Sequence, residues 1–267
     1  MGALIKRTND LAFKKALGSE GALDSLAGLI EDFFFIKPRD LALKNPYSIK
    51  AYKESLYGRD ANVMRYTEKD IAASFTAADF TTELQLKGTS FFDERSLYYP
   101  FERYCSNYNK GVVPSIDPGT GKKKYNRYSS LIAVYSLNIL GHGHFSDKRS
   151  LRIFEMHDPA RNLKPDRELI KIGYFEFSKE DFETGRQKFW ADYFMDRPIP
   201  DNAPEYIKKA AEAVAFENLD EEEKRMYNAA EQWQADYEAM WVTRFEEGVE
   251  KGIEKGIEKG ELKKLIA

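Results

Sequence analysis

The sequence predicts a fold of the α/β or α+β class, because segments with strand patterns are framed by segments with helical spacing. Residues 70–88, DIAASFTAADFTTELQLKG, alternate polar and apolar side chains on either side of a short turn, which indicates a hairpin. Residues 131–140, LIAVYSLNIL, have the length and the Val, Ile and Tyr content of a buried strand. A chain of 267 residues with 42% hydrophobic content can bury a sizeable core, and we expect one main domain with appendages.

The N-terminal part of the chain predicts two helices. The first is DLAFKKALG, which Thr8 or Asn9 can cap and which ends at Gly18. The second lies in EGALDSLAGLIEDFFF, whose apolar side chains recur at helical spacing and form one face. Residues 39–69 have no clear periodicity and predict loops with at most one strand.

Downstream of the hairpin, helical and strand patterns alternate. Residues 90–111 have helical spacing, although Pro100 is expected to bend or restart the helix. A loop rich in Gly and Pro, VVPSIDPGTGKKKYNRY, leads into the buried strand, and SLRIFEMHD and ELIKIGYFEFSK predict two more strands. From about residue 180 to 245 the pattern is helical.

The end of the chain is a four-residue repeat with glycines at positions 248, 252, 256 and 260. Each glycine costs a helix roughly 1 kcal/mol relative to Ala, and glutamates four residues apart repel one another. These features favour a frayed, solvated tail over a helix that presents Val249, Ile253 and Ile257 to a partner. The expected organisation is a main domain in residues 1–200, a helical extension in residues 201–245 and a flexible tail in residues 246–267.

Composition excludes several classes of protein. Cys105 is the only cysteine and cannot form a disulfide within the chain. Because neither an N-terminal apolar leader nor an 18-residue apolar run is present, we expect a cytoplasmic protein without a membrane span. The net charge of −3 is unevenly divided: residues 201–267 contain 17 acidic and 10 basic residues, whereas residues 1–200 contain 27 and 31. The front of the chain can therefore meet a polyanion.

The hairpin brings acidic residues to one face if its loop consists of Ala77 and Ala78. In that register Asp70 lies across from Gln85, and Asp70, Glu83, Gln85 and Lys87 all project from the same face, because side chains alternate with period two. A slip of one residue would move Glu83 and Gln85 to the other face. Such a cluster suits Mg²⁺, which prefers one or two carboxylates plus waters and substrate phosphate, and which activates a bound water.

An acidic strand residue followed about a dozen residues later by Glu-x-Gln on the next strand resembles the PD-(D/E)XK nuclease core. The ordered stretches NDLAFKKALG, TELQ, FFDERSLYY, YSSLIAVYSLNIL and YFEFSK, with the EKGIEKG tail, resemble more specifically the Rpn family of recombination-promoting nucleases, also described as PD-(D/E)XK nuclease family transposases. The resemblance covers most of residues 8–195 and the tail. It implies a three-layer, restriction-endonuclease-like α/β fold with a mixed central sheet, C-terminal helices, and cleavage of DNA with Mg²⁺ or Mn²⁺.

Carried over position by position, the resemblance implies that Asp70 and Glu83 bind the metal and that Gln85 occupies the place usually held by lysine. Glutamine can orient a water, but it can neither supply positive charge nor act as a base. We expect Lys87 to reach the attacking water or the scissile phosphate instead. Asp10 falls in the family's Asp-x-x-Phe-Lys element, where it is either a further acidic member of the site or a first-turn acid that complements the helix dipole.

Several basic residues are candidates for contact with DNA. Arg95 follows the motif on a helix, and the segment from residue 103 to 128 contains six basic residues against one acidic, with tyrosines interleaved. This pattern suits a phosphate backbone, although an ordinary solvated loop is an open alternative. The candidates in the segment are Lys122, Lys123, Lys124 and Arg127. His142 and His144 have no nearby Cys or further His to complete a zinc site and are predicted to lie in a loop.

The sequence therefore predicts a Mg²⁺-dependent DNA endonuclease in which Asp70 and Glu83 hold the metal and Gln85 orients a water for in-line attack on phosphorus. The alternative is a catalytically inactive nucleic-acid-binding or regulatory module that kept the fold and lost the chemistry. If the chain forms a homo-oligomer, we expect the C-terminal helices to mediate it.

Overall fold

The computed structural model describes residues 5–57, 70–76, 78–112 and 114–266. The helices are α1 (Asp10–Gly18), α2 (Leu23–Phe34), α3 (Ile49–Tyr57), α4 (Phe92–Ser106), α5 (Gly185–Phe194), α6 (Glu205–Ala213) and α7 (Glu221–Ile266). The strands are β1 (Ala42–Leu43), β2 (Asp70–Phe75), β3 (Ala78–Gln85), β4 (Ser115–Ile116), β5 (Lys123–Lys124), β6 (Ala133–Leu140), β7 (Leu151–Glu155) and β8 (Ile170–Glu176).

A six-stranded mixed sheet forms the centre of the main unit, with strand order β1-β2-β3-β6-β8-β7. Strands β3, β6 and β8 are parallel, and the other neighbours are antiparallel. Helices lie on both faces of the sheet. The α/β class and the mixed central sheet expected from the family resemblance are therefore confirmed.

Strands β2 and β3 form the predicted hairpin, but its register differs from the prediction by two residues. Phe75 pairs with Ala78, so Ala78 belongs to the strand and not to the loop. Both residues are buried in the sheet, which explains why the strand extends through Ala78. Asp70 consequently lies across from Glu83 instead of Gln85. Because the shift is an even number of residues, each position keeps its predicted face.

Helices α1 and α2 cover one face of the sheet. The amide N–H of Leu11 donates to the side chain of Asn9, which caps α1 as predicted. Phe33 of α2 packs on Phe175 with ring centroids 4.6 Å apart, and Phe34 meets Phe80 edge to face at 6.2 Å. These aromatic contacts bury the predicted apolar face of the second helix against β3 and β8.

A buried carboxylate ties α2 to α5 and α6. The Asp32 side chain is fully buried and accepts hydrogen bonds from Trp190 Nε1 at 2.9 Å, the Tyr206 hydroxyl at 2.7 Å and Arg186 Nη1 at 3.2 Å. Burial raises the pKa of Asp32 above its usual value despite these donors. One turn earlier, a Cβ added to Gly28 would lie 2.3 Å from the Tyr206 ring, so only glycine permits this approach of α6 to α2.

Helix α4 covers the opposite face of the sheet. Phe92 in its first turn packs with four buried residues of β6 and β8: Leu140, Ile170, Ile172 and Tyr174. The Ser96 hydroxyl lies 2.6 Å from the Tyr174 hydroxyl. Helix α4 does not restart at Pro100 but runs through it as one element. The proline ring is buried, and we attribute the continuity of the helix to this packing, which offsets the missing N–H donor.

The segment between α4 and β6 contains a small hairpin formed by β4 and β5, and we refer to residues 107–130 as the basic arm. Asp117 closes its turn by accepting hydrogen bonds from the backbone N–H groups of Gly119 at 3.0 Å and Thr120 at 2.9 Å. The rings of Tyr108 and Tyr128 pack at 5.2 Å near the base of the arm. The turn is thus held by defined contacts.

The chain divides into two compact units, Met1–Asp220 and Glu221–Ala267. The first unit includes α6, which follows residue 200, the expected end of the main domain.

The second unit contains α7, which is helical through Ile266, where the sequence favours a frayed tail. Extension of an existing helix is much less costly than nucleation, which explains how α7 continues through the glycines. Among the described residues, no helix is long and apolar enough to cross a membrane.

Candidate functional site

Glu83 lies near the carboxyl end of β3, on the face of the sheet that α4 covers. Its Cα pairs with that of Asp70 across the hairpin and with that of Asn138 on β6. The Glu83 carboxylate forms an ion pair with Nη2 of Arg95 from α4. The side chain of Glu83 is 13% exposed and that of Arg95 is 34% exposed, so the pair lies in the wall of the molecule and is partly shielded from solvent.

Asp70 and Glu83 occupy directly opposed positions on β2 and β3. Directly opposed positions are the nearest neighbours across an antiparallel ladder. The two acidic positions predicted to hold a metal are therefore adjacent at the open end of the hairpin, closer than the predicted register would place them.

Gln85 is the last residue of β3, and its side chain is buried. Its amide nitrogen donates to the backbone carbonyl of Lys87 at 2.7 Å. Lys87 itself lies beyond the strand and is exposed. Through this contact Gln85 holds the short segment that carries Lys87. An amide can donate this hydrogen bond as well as a lysine ammonium can.

Asp10 lies in the first turn of α1 and is almost completely buried. Lys14 Nζ, one turn later, lies 3.6 Å from the Asp10 carboxylate. Both sequence interpretations of Asp10 remain compatible with this position, since it is a first-turn acid and also a buried carboxylate next to a cation.

A short series of contacts connects α1 to the carboxyl end of β3. Phe13 of α1 packs with Phe194 at 6.4 Å, and Phe194 stacks on Phe177 at 5.7 Å. Phe177 in turn lies 3.0 Å from the position that a Cβ on Gly141 would occupy. The Gly141 N–H donates to the Gln85 carbonyl at 2.9 Å. Helix α1 therefore reaches the same end of the sheet at which Glu83 and Gln85 lie.

A cleft of about 310 Å³ opens between α4 and the sheet beside Glu83. Besides Glu83, polar side chains from three elements line it: Thr81, Ser96, Glu102, Arg103, Ser106, Ser136 and Asn138. The Thr81 hydroxyl is buried and has no hydrogen-bond partner in the described part of the chain. A buried hydroxyl without a partner is uncommon and indicates a position where a bound water or ligand would supply the missing hydrogen bond.

The donor set of this cleft fits a hard divalent cation. Carboxylate, hydroxyl and amide oxygens are the ligands and water-binding groups that Mg²⁺ prefers. The cation already present on Glu83 is a guanidinium, which shows that the carboxylate occupies a position where a positive charge is accommodated. Within the described residues no three His, Cys, Asp or Glu side chains converge. In proteins Mg²⁺ usually keeps several waters and binds through one or two carboxylates and substrate oxygens.

The predicted DNA-contacting residues lie in two separate places. Arg95 contacts Glu83 at the first turns of α4, whereas the lysines and Arg127 belong to the basic arm at the other end of that helix. Lys122, Lys123 and Arg127 are exposed, and Lys124 pairs with Asp117. This pair, with the hydrogen bonds of the turn, lowers the pKa of Asp117.

Two histidines lie in the predicted loop after β6, close to the carboxyl end of β3. His144 Nε2 lies 2.8 Å from a carboxylate oxygen of Asp93 at the start of α4. Burial lowers the pKa of His142, while the Gln85 carbonyl opposes this effect. The backbone N–H groups of His144 and Phe145 donate to the buried carboxylate of Glu176 at 2.7 and 3.2 Å. Glu176 therefore fixes this loop next to the site.

Sequence reasoning missed the ion pairs that anchor α4 and this loop. Asp79 is 1% exposed and accepts from Arg103 Nε at 2.8 Å and from Asn107 Nδ2 at 2.9 Å. Glu176 is fully buried and pairs with Arg152 and Lys179. The available signal was an acidic residue inside an otherwise apolar strand segment, as in YFEFSK, because a buried carboxylate requires partners.

A family model described as PD-(D/E)XK nuclease family transposase matches residues 7–243 of the chain. The match covers both the hairpin with Glu83 and the helix that carries Arg95. Comparisons with curated proteins and with solved structures gave no match.

Proposed function

Because the chain belongs to the PD-(D/E)XK nuclease family transposases, we propose that it is a Mg²⁺-dependent endonuclease that hydrolyses DNA phosphodiester bonds during recombination or transposition. The observation that carries the proposal is the pairing of Asp70 with Glu83 beside a cleft lined by oxygen donors. A bound Mg²⁺ or Mn²⁺ would lower the pKa of a water and neutralise charge on the scissile phosphate.

Within this proposal, Glu83 and Asp70 hold the cation, and the Thr81 hydroxyl and Asn138 amide orient waters in the cleft. Gln85 positions the segment that follows β3, from which Lys87 approaches the phosphate. Asp10 contributes negative charge from α1 at the same end of the sheet. Each of these groups acts by position and charge, which is the main requirement of phosphoryl transfer.

We assign the basic arm to the DNA backbone outside the cleft. From Arg95, which contacts Glu83, to Ser106 at its end, α4 rises about 16 Å at 1.5 Å per residue. Lys122, Lys123, Lys124 and Arg127 would then contact phosphates roughly five base pairs from Glu83, at 3.4 Å per base pair. Replacement of Lys122 and Lys123 by Ala should reduce the salt dependence of duplex binding by about two units of slope; an unchanged slope would contradict this assignment.

The C-terminal helix is our candidate for homo-oligomer formation. Val249, Ile253 and Ile257 of α7 are 45%, 58% and 58% exposed and recur every four residues. Helices can pack through such rows. Light scattering of the full chain and of an I253E/I257E variant would test this: a dimer that becomes a monomer supports the assignment, and an unchanged mass rejects it.

A second candidate function is a catalytically inactive, DNA-binding module on the same fold. Two observations favour it: Gln85 replaces the expected lysine, and Arg95 holds the Glu83 carboxylate. Under this alternative the basic arm would bind DNA, and no metal would be required. Salt-sensitive DNA binding occurs in both cases, so metal response is the property that separates them.

The decisive experiment measures cleavage of supercoiled plasmid with Mg²⁺, with Mn²⁺ and with a chelator. Wild type, E83A and D70A are compared with E94Q, which changes an exposed glutamate next to Arg95 in sequence. Metal-dependent cutting by wild type and E94Q, lost in E83A and D70A, would support the proposal. Absence of cutting by wild type, or equal cutting by all four proteins, would reject it in favour of the inactive module or a contaminating nuclease.

A further inference from the structure

Arg95 has an unusual position for a residue that could bind phosphate. Its Nη2 donates to Glu83 inside the candidate metal site, and its guanidinium carbon lies 6.0 Å from the centre of the Tyr99 ring. A positive side chain thus occupies the carboxylate to which a metal would bind. The two cations would compete for the same oxygen atoms.

The guanidinium of Arg95 is incompletely bonded in this position. Its Nε is buried and has no hydrogen-bond partner among the described residues. An arginine presents five N–H groups in a fixed fork, which matches two oxygens of a carboxylate or a phosphate. An anion that accepted hydrogen bonds from both Nε and Nη would therefore satisfy Arg95 better than the present contact does.

Arg103 lies two turns later on α4 and differs from Arg95 in that its partner is a buried carboxylate. Its Nε donates to Asp79 at 2.8 Å, and Asp79 is 1% exposed and bonded to Asn107 as well. That pair joins α4 to β3 independently of Arg95. Movement of Arg95 can therefore occur while α4 stays in place.

We propose that Arg95 is an exchangeable counter-ion: it neutralises Glu83 when no metal is bound, and it transfers to a DNA phosphate when a divalent cation takes its place. This inference rests on the proposed metal-dependent function. A divalent cation at Glu83 repels the guanidinium, and a phosphate in the cleft attracts it. The Tyr99 ring, 6.0 Å from the guanidinium carbon, gives Arg95 a cation–π contact beside Glu83.

The exchange makes metal binding and DNA binding mutually supportive. A metal at Glu83 releases Arg95 for the phosphate, and a phosphate on Arg95 releases Glu83 for the metal. By thermodynamic linkage each ligand must strengthen the other by the same factor. Arg95 would thus restrict metal loading in the absence of DNA.

The test measures Mn²⁺ affinity without DNA by electron paramagnetic resonance of the unbound ion. We expect R95A to bind Mn²⁺ about 10-fold more tightly than wild type, within the 5- to 150-fold range of typical site couplings. R95K retains a competing charge and should stay within about 2-fold of wild type. K148A, which removes an exposed cation elsewhere, controls for net charge and should match wild type.

A second readout uses Ca²⁺, which binds oxygen ligands, and fluorescence anisotropy of a short labelled duplex. Ca²⁺ should increase the duplex affinity of wild type, and this increase should be several-fold smaller in both R95A and R95K, because only the direct contact of the cation with phosphate then remains and lysine lacks the phosphate-matching fork. Thermal unfolding of each variant confirms that it is folded. If R95A does not fold, R95K still tests the proposal through the Ca²⁺ readout, because it keeps the charge but lacks the fork.

The outcomes distinguish this inference from the proposed function. If E83Q abolishes Mn²⁺ binding while R95A binds no more tightly than wild type, the metal site stands and the exchange is rejected. If neither wild type nor R95A binds Mn²⁺, the metal-dependent function is rejected, and the exchange with it. Tighter Mn²⁺ binding by R95A together with a smaller Ca²⁺ effect on DNA supports the exchange, and a Ca²⁺ effect equal to that of wild type rejects it.

Discussion

The carboxylates of Asp32 and Glu83 lie on opposite sides of the same sheet, and their surroundings differ in how completely the polar groups are bonded. Asp32 is fully buried and receives hydrogen bonds from α5 and α6 through three donors. Glu83 faces a cleft whose lining includes the buried hydroxyls of Thr81 and Thr82, neither of which has a partner among the described residues. Nε of Arg95, the ion-pair partner of Glu83, is likewise buried and without a partner in this part of the chain.

This difference separates a carboxylate that holds the fold from one that is available to a ligand. The hydrogen bonds that Asp32 accepts fix the relative positions of three helices. Removal of any one of these bonds should lower the free energy of unfolding. Incompletely bonded groups around Glu83 do not lower the energy of the fold and can gain partners from a metal, a water or a phosphate. Substitutions at Glu83 should therefore lower activity, and substitutions at Asp32 should lower stability.

The largest expected effect is on cleavage in E83Q. We expect a decrease of about 10³-fold, because loss of the metal removes several kcal/mol of charge stabilisation in the transition state. Its free energy of unfolding should change by less than about 1 kcal/mol. D32N is the matched variant on the other side and should cleave at near the wild-type rate while folded. Plasmid cleavage and urea denaturation are measured for both variants. Comparable cleavage by E83Q and wild type would show that Glu83 is not the carboxylate that binds a ligand.

The next effect is on the stability of D32A. Truncation leaves the buried Trp190 indole N–H and the Tyr206 hydroxyl without their acceptor, and each such group costs about 1–3 kcal/mol. We therefore expect a loss of about 3 kcal/mol in the free energy of unfolding, measured by urea denaturation. D166A, which removes an exposed carboxylate, should be near wild type. A loss below about 1 kcal/mol in D32A would show that Asp32 is not the structural counterpart of Glu83.

Some features on the two sides of the sheet can be predicted from the sequence and others cannot. Local periodicity is sufficient for the hairpin and for the buried strand from Ala133 to Leu140, because the alternation of side chains depends on neighbouring residues. The predicted turn lies one residue too far along the chain because neither Ala77 nor Ala78 has a turn preference, so nothing local indicates that the first strand ends at Phe75. The position of Asp70 and Glu83 on opposed strands could still be predicted, since an even shift preserves the faces.

The contacts that distinguish the two carboxylates are not local. Arg95 lies 12 residues from Glu83, and its contact depends on the packing of α4 across the sheet. The donors to Asp32 come from 154 to 174 residues away. Similarly, α7 is helical where the local glycine content predicts fraying, because helix stability depends on the length of the whole segment. Pattern analysis identifies candidate carboxylates but cannot predict their partners.

A smaller effect is expected for T81V, which replaces the unpartnered hydroxyl by a methyl group of similar size. Activity should fall about 10-fold, as is typical when a group that orients a ligand from the outer shell is removed. Stability should be unchanged or slightly higher, because a buried hydroxyl without a partner is lost. T243V on α7 is the control and should keep wild-type cleavage. Loss of stability without loss of activity in T81V would place Thr81 with the structural residues.

The smallest expected effect is a pH dependence of the free energy of unfolding that arises from Asp32. Burial raises the pKa of Asp32 in the folded chain above its unfolded value, so the proton is held more tightly when folded. Below the unfolded pKa, near 3.9, both states are protonated and this contribution to stability is fully present. As the pH rises from there through the folded pKa, the unfolded state loses its proton first, and the contribution is lost. D32N has no such proton, so the stability of wild type relative to D32N should decrease from about pH 3.5 to pH 7 in urea denaturation. Other carboxylates cancel in this difference, and a constant or increasing difference would show that the hydrogen bonds to Asp32 outweigh its burial.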